Sequence, residues 1–377
     1  MCGFVGLIGL DDVAPSIYMA LQAIQHRGQD AAGIGTHDEG FLKIHKDLGL
    51  VSQALPPSAL RTLTGTSGIG HVRYPTIGGN IRGDAQPFMT RRPSIVLAHN
   101  GNVTNVGELE RHLVSRGMRM TSHCDSEPIL LVFGDELLLI RVAKHTEDDV
   151  VAALRVLMER VKGSYSVAAI MAVDGKETLI AFRDPYGIRP SVYGRRSDGA
   201  WMVASESVSL DVLEFEIVGH VPPGSVVLMR KGEEPIIRQV NAKSLHHCVF
   251  EDIYFARPDS VMDSGRVYTR RRLLGQQLAK EWSTKGLEAD VIVAVPDTSR
   301  PAAQAMAEAL KLPNREGFIK NRYSGRTFIM PDQSTREAAM RLKLNPIDEI
   351  FRGQRVIMVD DSIVRGTTMR RMVDLIR

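Results

Sequence analysis

Cys2 is the first residue whose position suggests chemistry, because it directly follows the initiator methionine. Removal of Met1 would leave a thiol and a free α-amine on one residue. Because a thiol has a pKa near about 8.5 and an α-amine a pKa near about 8, the amine can accept the thiol proton without a separate histidine. We expect this thiol to be exposed. A chance cysteine beside Gly3 is the alternative when these residues are taken alone.

Four later segments carry side chains that suit hydrolysis of a carboxamide. In chain order they are QHRGQDAAG (25–33), GHVRYPT (70–76), AHNGNVTN (98–105) and CDSE (124–127). Arg73 can pair with a substrate carboxylate through two parallel hydrogen bonds, and Asp125 can hold a substrate ammonium group. Asn100 and the backbone N–H of Gly101 can donate to the oxyanion of a tetrahedral intermediate, since glycine permits a close backbone approach. The histidines of these segments are expected to be hydrogen-bonded near the site rather than metal ligands: His26, His71, His99 and His123.

The segment VIMVDDSIVRGTT (356–368) joins a short apolar run, two acids and a turn of small polar residues. This order places a loop at the carboxyl end of a parallel strand, where ligands bind in open α/β sheets. Backbone N–H groups of residues 365–368, with the threonine hydroxyls, can bind a phosphate at the N-terminus of the next helix. Asp360 and Asp361 can bind ribose hydroxyls or a hydrated Mg²⁺. An acidic helix cap would explain one aspartate but not the whole segment.

The elements that position these residues differ between the two halves of the chain. Up to about residue 240, short strands and a few helices indicate an α+β domain; strands are predicted at 4–8 and 163–173, and helices at 15–25 and 148–161. Beyond residue 250, short apolar strands alternate with helices, which indicates a parallel sheet covered on both faces. The strands are predicted at 291–295 and 355–359, and the helices at 266–281 and 300–310. We expect domains over 2–245 and 255–377.

The composition is that of a globular enzyme and argues against several classes of partner. The 377 residues carry a net charge of +3 and are 44% hydrophobic, so neither nucleic acid nor a membrane surface is expected as a partner. No apolar run approaches the roughly 20 residues that span a bilayer, and the N-terminus lacks the basic region of a signal peptide. The three cysteines show no CxxC pairing and fit a reducing compartment. We therefore expect a cytoplasmic protein.

The basic residues are concentrated in one stretch of the C-terminal half. Residues 315–355 contain nine Lys or Arg against five Asp or Glu. This excess fits either a solvated surface or a binding site for a polyanionic small molecule.

Together, the N-terminal segments resemble the class II glutamine amidotransferase domain over about residues 2–240. Members share the N-terminal nucleophile fold, an α/β/β/α sandwich. The resemblance implies that Cys2 is the nucleophile and that Asn100 and Gly101 form the oxyanion hole. Glutamine would be hydrolysed to glutamate through a thioester, which releases ammonia. The implied glutamine-binding residues are Arg27, Arg73, Thr76 and Asp125.

The C-terminal half resembles the type I phosphoribosyltransferases, which have a doubly wound α/β fold with a parallel sheet. VAVPDTSRP (293–301) resembles their pyrophosphate-binding loop, and KNRYSGRTFIMP (320–331) resembles the loop that closes over the substrate. The resemblance implies that Thr298, Asp360 and Asp361 surround a Mg²⁺ ion. The residues implied to bind phosphoribosyl pyrophosphate are Lys320, Arg322, Arg326, Ser362, Arg365, Gly366, Thr367 and Thr368.

The two halves in this order resemble the amidophosphoribosyltransferase family, as does FEDIYFARPDS (250–260) between them. The resemblance implies transfer of ammonia from glutamine to 5-phosphoribosyl 1-pyrophosphate, which begins purine synthesis. It also implies an ammonia channel walled by Tyr254, feedback inhibition by purine nucleotides and a homotetramer. Because a doubly wound sheet needs more strands than residues 255–377 supply, we expect that a C-terminal part is missing.

The resemblance leaves an iron–sulfur cluster open. Some family members hold a [4Fe–4S] cluster with four cysteines, and Cys248 lies at the position of one of them. The other ligands would lie beyond Arg377. Members without the cluster can keep a cysteine at this position, so Cys248 fits both kinds.

Two other functions compete with this interpretation. A different glutamine-dependent synthase, making glucosamine 6-phosphate or asparagine, would have no use for the motif at 356–368. A regulator with a phosphoribosyltransferase-like sensor domain would need a DNA-binding segment and would not need Cys2. Each half of the sequence thus argues against one of the alternatives.

Overall fold

The computed structural model describes residues 2–38, 40–75, 77–263, 265–321, 344–363 and 366–377, with the main chain alone at 367 and 368. The chain divides into two compact units. The first comprises Met1–Cys248 and Val261–Ser264, and the second comprises Val249–Ser260 and Gly265–Arg377. Within the described stretches, no helix has the length and apolar character needed to cross a membrane.

The first unit is built from two antiparallel sheets with helices on their outer faces. Its strands are β1 (Gly3–Ile8), β2 (Ala31–Asp38), β3 (Phe41–Leu48), β4 (Ser67–Arg73), β5 (Phe88–Arg91), β6 (Ser94–Val103), β7 (Gly163–Val173), β8 (Lys176–Arg183), β9 (Val192–Arg195), β10 (Trp201–Ala204), β11 (Glu216–His220), β12 (Ser225–Met229), β13 (Ile236–Gln239) and β14 (Val261–Met262). Its helices are α1 (Ala14–Ala23), α2 (Val51–Ala54), α3 (Pro57–Leu60), α4 (Val106–Ser115), α5 (Glu127–Ile140), α6 (Glu147–Arg160) and α7 (Val208–Asp211). Short 3₁₀ turns lie at Gln25–Arg27 and Arg82–Asp84.

The two sheets pack face to face because their side chains alternate between the sheet faces. The first sheet has the order β11-β9-β10-β1-β4-β2-β3, and the second has the order β13-β12-β8-β7-β6-β5. In β1, Phe4 and Ile8 belong to the core between the sheets, whereas Val5 and Leu7 pack with α1. On the outer face of the second sheet, Leu97 packs with helices α4 to α6. The predicted α/β/β/α sandwich is confirmed.

The second unit contains a parallel sheet. Its strands are β15 (Gly265–Arg266), β16 (Val291–Ala294), β17 (Asn314–Arg315), β18 (Phe318–Lys320), β19 (Leu344–Pro346) and β20 (Val356–Val359). Its helices are α8 (Val267–Ser283), α9 (Arg300–Leu310), α10 (Asp348–Phe351) and α11 (Thr367–Ile376), with a π-helical turn at Glu251–Phe255. The order β17-β16-β20 has parallel pairing throughout.

Both faces of the parallel sheet are covered. On one face, Ile292 packs with Met306 and other side chains of α8 and α9. On the other face, Val293 packs with Phe351 of α10 and Met372 of α11. The predicted doubly wound arrangement is confirmed, and it leaves the carboxyl ends of β16 and β20 side by side at one edge.

Candidate active site

The candidate nucleophile lies directly before β1, on the face that is directed toward the second sheet. Cys2 follows the same side-chain alternation as Phe4, which belongs to the core between the sheets. Asn100 on β6 follows the alternation of Val96 and Ala98, which belong to the same core. The sheets therefore bring together residues 98 positions apart, and the Cys2 N–H donates to Asn100 Oδ1 at 3.2 Å.

The two polar atoms of the Asn100 side chain differ in their hydrogen bonding. The oxygen accepts a hydrogen bond, whereas the nitrogen makes none with the described residues. The residue is 0% exposed, and within the described part of the chain its Nδ2 has no hydrogen-bond partner. A buried donor without a partner costs about 1–3 kcal/mol, so it calls for an explanation. An oxyanion formed beside Cys2 would supply the missing acceptor.

The thiol of Cys2 is covered by the main chain of Tyr74, the residue that follows β4. The thiol donates to Tyr74 O at 3.4 Å and accepts from Tyr74 N–H at 3.4 Å. Cys2 is only 6% exposed, so the expectation of an exposed thiol was wrong. Burial raises the pKa of Cys2, and the positive N-terminus partly opposes this effect.

Arg73 ends β4 and holds the loop that follows. Its guanidinium donates to Gly79 O at 2.6 Å and to Ile77 O at 3.0 Å. Asp84 lies 3.9 Å from the same guanidinium and accepts from Gly79 N–H at 2.7 Å. Arg73 and Asp84 are both buried, so they fix the loop from two sides. Thr76, predicted at this site, lies outside the described residues.

Asp125 belongs to a buried polar network beside the second sheet. Its Oδ2 accepts from Val103 N–H at 2.9 Å and lies 3.5 Å from His99 Nε2. Gln86 Nε2 lies 3.1 Å from His99 Nδ1, and His71 Nε2 lies 3.1 Å from His99 O. Burial favours a raised pKa for Asp125, but His99 and the Val103 hydrogen bond bring it below the ordinary value. The network therefore keeps a carboxylate charged in a buried place.

Arg27 lies against the main chain of the nucleophile. Its Nε donates to Cys2 O at 2.9 Å, and its Nη1 donates to Glu206. His26 Nε2 lies 2.8 Å from Glu206 Oε1, so His26, like His71 and His99, is hydrogen-bonded at the site as predicted. Arg27 and Glu206 are fully buried, which places the guanidinium among protein groups. Glu206 was not predicted, because its only signal in the sequence is an acid two residues after the apolar run of β10.

The carboxyl ends of β16 and β20 bring the predicted phosphoribosyl pyrophosphate residues together. Thr298, which follows β16, donates through its hydroxyl to Asp361, which follows β20. Ser362 Oγ donates to Asp361 Oδ1 at 2.7 Å. Burial and the neighbouring Asp361 raise the pKa of Asp360 to about 6. Two adjacent carboxylates that repel each other fit a divalent cation, which would relieve that repulsion.

The remaining predicted residues of this site are placed only in part. Lys320 is the last residue of β18, and its Nζ donates to Asp297 Oδ2 at 2.7 Å. Asp297 belongs to the segment 293–301, which is predicted to bind pyrophosphate. Gly366 precedes α11 with a φ of 70°, in the left-handed region that favours glycine. The other predicted residues lie outside the described part of the chain, entirely or in their side chains: Arg322, Arg326, Arg365, Thr367 and Thr368.

In the sequence, Cys248 is the last residue before the second unit begins, and Tyr254 lies a few residues after that point. Tyr254 is 43% exposed in the π-helical turn, and its ring centroid lies 5.0 Å from that of Phe255. Cys248 Sγ accepts from Arg189 Nη1 at 3.6 Å. The sequence has three cysteines in all, and Cys2 and Cys124 are buried. These residues cannot by themselves supply the four ligands of a [4Fe–4S] cluster.

Known families and proteins match both halves of the chain. A glutamine amidotransferase domain matches residues 71–212, and a phosphoribosyl transferase domain matches residues 270–377. The amidophosphoribosyltransferase of Pseudomonas aeruginosa is 44% identical over 100% of this chain and 76% of that protein. The enzyme of Escherichia coli is 42% identical over 100% of this chain and 76% of its own length.

Two solved structures match over the full chain. Glutamine phosphoribosylpyrophosphate amidotransferase from B. subtilis, complexed with ADP and GMP, has a TM-score of 0.86 and 36% identity, over 79% of that chain. A structure described as the allosteric regulatory enzyme of purine biosynthesis has a TM-score of 0.87 and 36% identity, over 78% of that chain. The chain therefore belongs to the amidophosphoribosyltransferase family, the enzymes of the first committed step of purine biosynthesis.

Proposed function

We propose that the protein hydrolyses glutamine at Cys2 and transfers the ammonia to 5-phosphoribosyl 1-pyrophosphate. The products are 5-phosphoribosylamine, glutamate and pyrophosphate. The observation that carries the proposal is the Asn100 amide: its oxygen accepts from the Cys2 N–H, while its NH₂ group has no partner among the residues that the structure describes. We assign the glutamine half-reaction to residues 2–245 and the phosphoribosyl half-reaction to residues 255–377.

In the glutamine half-reaction, Cys2 Sγ attacks the carboxamide carbon of glutamine. The thiol proton passes to the α-amine that removal of Met1 exposes, and this local base matters because burial raises the thiol pKa. Asn100 Nδ2 and the N–H of Gly101 stabilise the oxyanion. Collapse of the intermediate breaks the C–N bond, and the leaving ammonia takes up the proton. Water then hydrolyses the thioester to glutamate and regenerates the thiol.

Glutamine is held at its α-carbon by groups of opposite charge. Arg73 binds the α-carboxylate and Asp125 binds the α-ammonium, and Thr76 contributes to glutamine binding. Asp125 suits this role because its lowered pKa keeps it ionised in a buried network. Arg73 also donates to the carbonyls of Ile77 and Gly79, so the binding of glutamine by Arg73 and the conformation of this loop are linked.

In the phosphoribosyl half-reaction, the loops after β16 and β20 bind the sugar and its phosphates. Thr298, Asp360 and Asp361 would hold Mg²⁺, which neutralises charge on the departing pyrophosphate when bound. Lys320, together with Arg322 and Arg326, binds the pyrophosphate. The 5′-phosphate is bound by the turn at the start of α11: Ser362, Arg365, Gly366, Thr367 and Thr368.

Ammonia must pass between the two reactions without being protonated by water. Tyr254 is proposed to line its path, as the resemblance to the family implies. We also propose feedback by purine nucleotides, supported by the ADP and GMP bound in the B. subtilis relative. A homotetramer in the cytoplasm completes the proposal.

The test is glutamate release from glutamine by the full chain. Release should be stimulated by phosphoribosyl pyrophosphate with Mg²⁺ and should not be stimulated by fructose 6-phosphate. Cys2→Ala should abolish glutamine use but retain amination of phosphoribosyl pyrophosphate by free ammonia at high pH. Stimulation by fructose 6-phosphate, or loss of both activities in Cys2→Ala, would contradict the proposal. Mass spectrometry of the active protein should show that Met1 is absent.

A further inference from the structure

We propose that Glu206 is a positioning residue for the N-terminal nucleophile. Through Arg27 it fixes the carbonyl of Cys2, and with it the thiol and the amine of that residue. This inference rests on the proposed glutaminase function and adds to it a residue that has no contact with substrate.

A short chain of buried contacts leads from Glu206 to Cys2. The Glu206 carboxylate accepts from Arg27 Nη1, and Arg27 Nε donates to Cys2 O at 2.9 Å. Both side chains of the ion pair are 0% exposed. A buried guanidinium without its carboxylate is strongly unfavourable, so the position of Arg27 depends on Glu206. Because Arg27 is enclosed in this way, we assign it to holding Cys2 rather than to binding glutamine.

Cys2 needs such support because of its place in the chain. Once Met1 is removed, the polypeptide restrains Cys2 from one side only. Within the described part of the chain, hydrogen bonds hold three of its atoms: Asn100 at the nitrogen, Tyr74 at the sulfur and Arg27 at the carbonyl oxygen. The sulfur forms a bond to the substrate during the reaction, so its contact with Tyr74 must change. The nitrogen gains a proton but keeps N–H groups that can donate to Asn100, and the carbonyl oxygen takes no part in the chemistry. The contacts at the nitrogen and at the carbonyl oxygen can therefore persist from substrate binding to product release, and Arg27 makes the second of them.

The turn that carries Glu206 is itself tied to the first strand. Ser205 Oγ accepts from Phe4 N–H at 3.0 Å, and Ser205 N–H donates to Phe4 O at 3.1 Å. Ser205 and Glu206 directly follow β10, which pairs with β1. Neighbouring residues of one turn therefore hold Phe4 directly and Cys2 through Arg27. His26, 2.8 Å from the Glu206 carboxylate, holds that carboxylate from a second direction.

The test uses Glu206→Gln in the full chain, a change that keeps the shape of the side chain and removes its charge. We expect kcat for glutamine hydrolysis to fall about 10- to 100-fold, since small misplacements of a reacting group have effects of this size. KM for glutamine should change little. Alkylation of Cys2 by iodoacetamide, followed by peptide mass mapping, should slow in parallel. Amination by free ammonia, which does not use Cys2, should stay at the wild-type rate.

Glu147→Gln is the matched control, because Glu147 is another carboxylate of the first unit that is paired with an arginine. It accepts from Arg230 Nη1 at 3.1 Å. This variant should keep wild-type kcat, KM and alkylation rate. An equal fall in kcat for both variants would overturn the proposal, because it would indicate a general effect of breaking an ion pair.

The effect of Glu206 should also depend on Arg27. In an Arg27→Lys background, Glu206→Gln should reduce kcat by a smaller factor than in the wild type, as expected for two residues that act as a unit. Fully multiplicative effects, or a wild-type kcat in Glu206→Gln, would overturn the proposal while the wild-type chain still releases glutamate. A wild-type chain that releases no glutamate would instead refute the proposed glutaminase function.

Discussion

At the scale of single residues, the candidate glutaminase site keeps its polar groups away from water. Cys2, Asn100, Arg73 and Asp125 are all buried. Hydrogen bonds and charges act more strongly in such surroundings, and each group is also costly there unless it is paired. Among the described residues, the NH₂ group of Asn100 has no partner, and it is therefore the feature most directly linked to a transient charge on a substrate.

Asn100→Asp removes that donor and places a carboxylate beside the oxyanion. The substitution keeps an acceptor for the Cys2 N–H and replaces the NH₂ group with oxygen. We expect kcat for glutamine hydrolysis to fall about 100- to 1,000-fold, as the loss of one oxyanion donor does. Steady-state kinetics with glutamine measures the change, and ammonia-dependent amination serves as the control for folding. A rise in KM with an unchanged kcat would contradict the oxyanion role.

At the scale of elements, strands β6 and β7 leave no room for a side chain at Gly101. A Cβ atom at this position would lie 2.2 Å from Ser164 O and 2.9 Å from Tyr165 Cα, which are both main-chain atoms of β7. Alanine would therefore have to push the strands apart beside Asn100. Glycine at 101 is thus required by the packing of the sheet as well as by any approach of substrate.

Gly101→Ala should lower the free energy of unfolding by about 1–3 kcal/mol, the usual cost of overpacking, and should reduce glutamine hydrolysis. Gly107→Ala is the matched control in α4, where the new Cβ would have Arg111 Nη1 at 3.8 Å as its nearest neighbour. Alanine favours a helix over glycine by up to about 1 kcal/mol, so this variant should be no less stable than the wild type. Urea unfolding compares the three proteins. Equal midpoints for both variants would contradict the packing argument.

The elements that periodicity predicted well are those with strong local patterns. Strand β7 and helix α9 occupy the predicted residues 163–173 and 300–310. Helix α5 was not predicted, because its sequence EPILLVFGDELLLI is apolar on most sides and shows little helical periodicity. A helix packed between a sheet and another helix needs no clear polar face, so its sequence signal is weak.

The candidate site divides in a similar way. Cys2, Asn100 and Asp125 could be proposed from sequence because each stands in a motif of recognisable chemistry. Glu206 could not, because it reaches the site through a contact with a residue 179 positions away. The burial of the thiol could not be predicted either, since it depends on the path of the main chain at Tyr74.

At the scale of the whole molecule, a buried ion pair joins residues 261–263 to the rest of the first unit. Arg183 donates to both carboxylate oxygens of Asp263, at 2.8 Å and 3.0 Å. Burial opposes ionisation of Asp263, but His247 and Arg183 hold its pKa well below the ordinary value. The pair should therefore make stability depend on pH.

The sign follows from the lowered pKa in the folded state. Such a carboxyl contributes stability that is present above its unfolded pKa of about 3.9 and is lost as the pH falls toward the folded pKa. We expect the free energy of unfolding to decrease below about pH 5, and to decrease less steeply in Asp263→Asn. Urea unfolding at a series of pH values measures both slopes. Identical slopes would show that Asp263 does not titrate with unfolding.

The division into two units also predicts that one half-reaction can be damaged without the other. Asp360 lies in the second unit and Cys2 in the first. Asp360→Asn should raise KM for phosphoribosyl pyrophosphate or lower kcat by roughly tenfold or more, since a contact with a charged group contributes about 1.5–3 kcal/mol. Glutamine hydrolysis without phosphoribosyl pyrophosphate should keep its wild-type rate.

Asp290→Asn is the matched control for this prediction, because it makes the same change at the opposite end of the same sheet. Asp290 directly precedes β16, and Arg355 directly precedes β20. The carboxylate of Asp290 accepts from Arg355 Nε at 3.0 Å. This variant should keep its dependence on phosphoribosyl pyrophosphate, because the amino ends of parallel strands lie away from the ligand edge. If Asp360→Asn lost basal glutaminase together with phosphoribosyl pyrophosphate use, a single site would have to serve both reactions. Selective loss in Asp360→Asn alone would locate the sugar phosphate at the carboxyl end of β20.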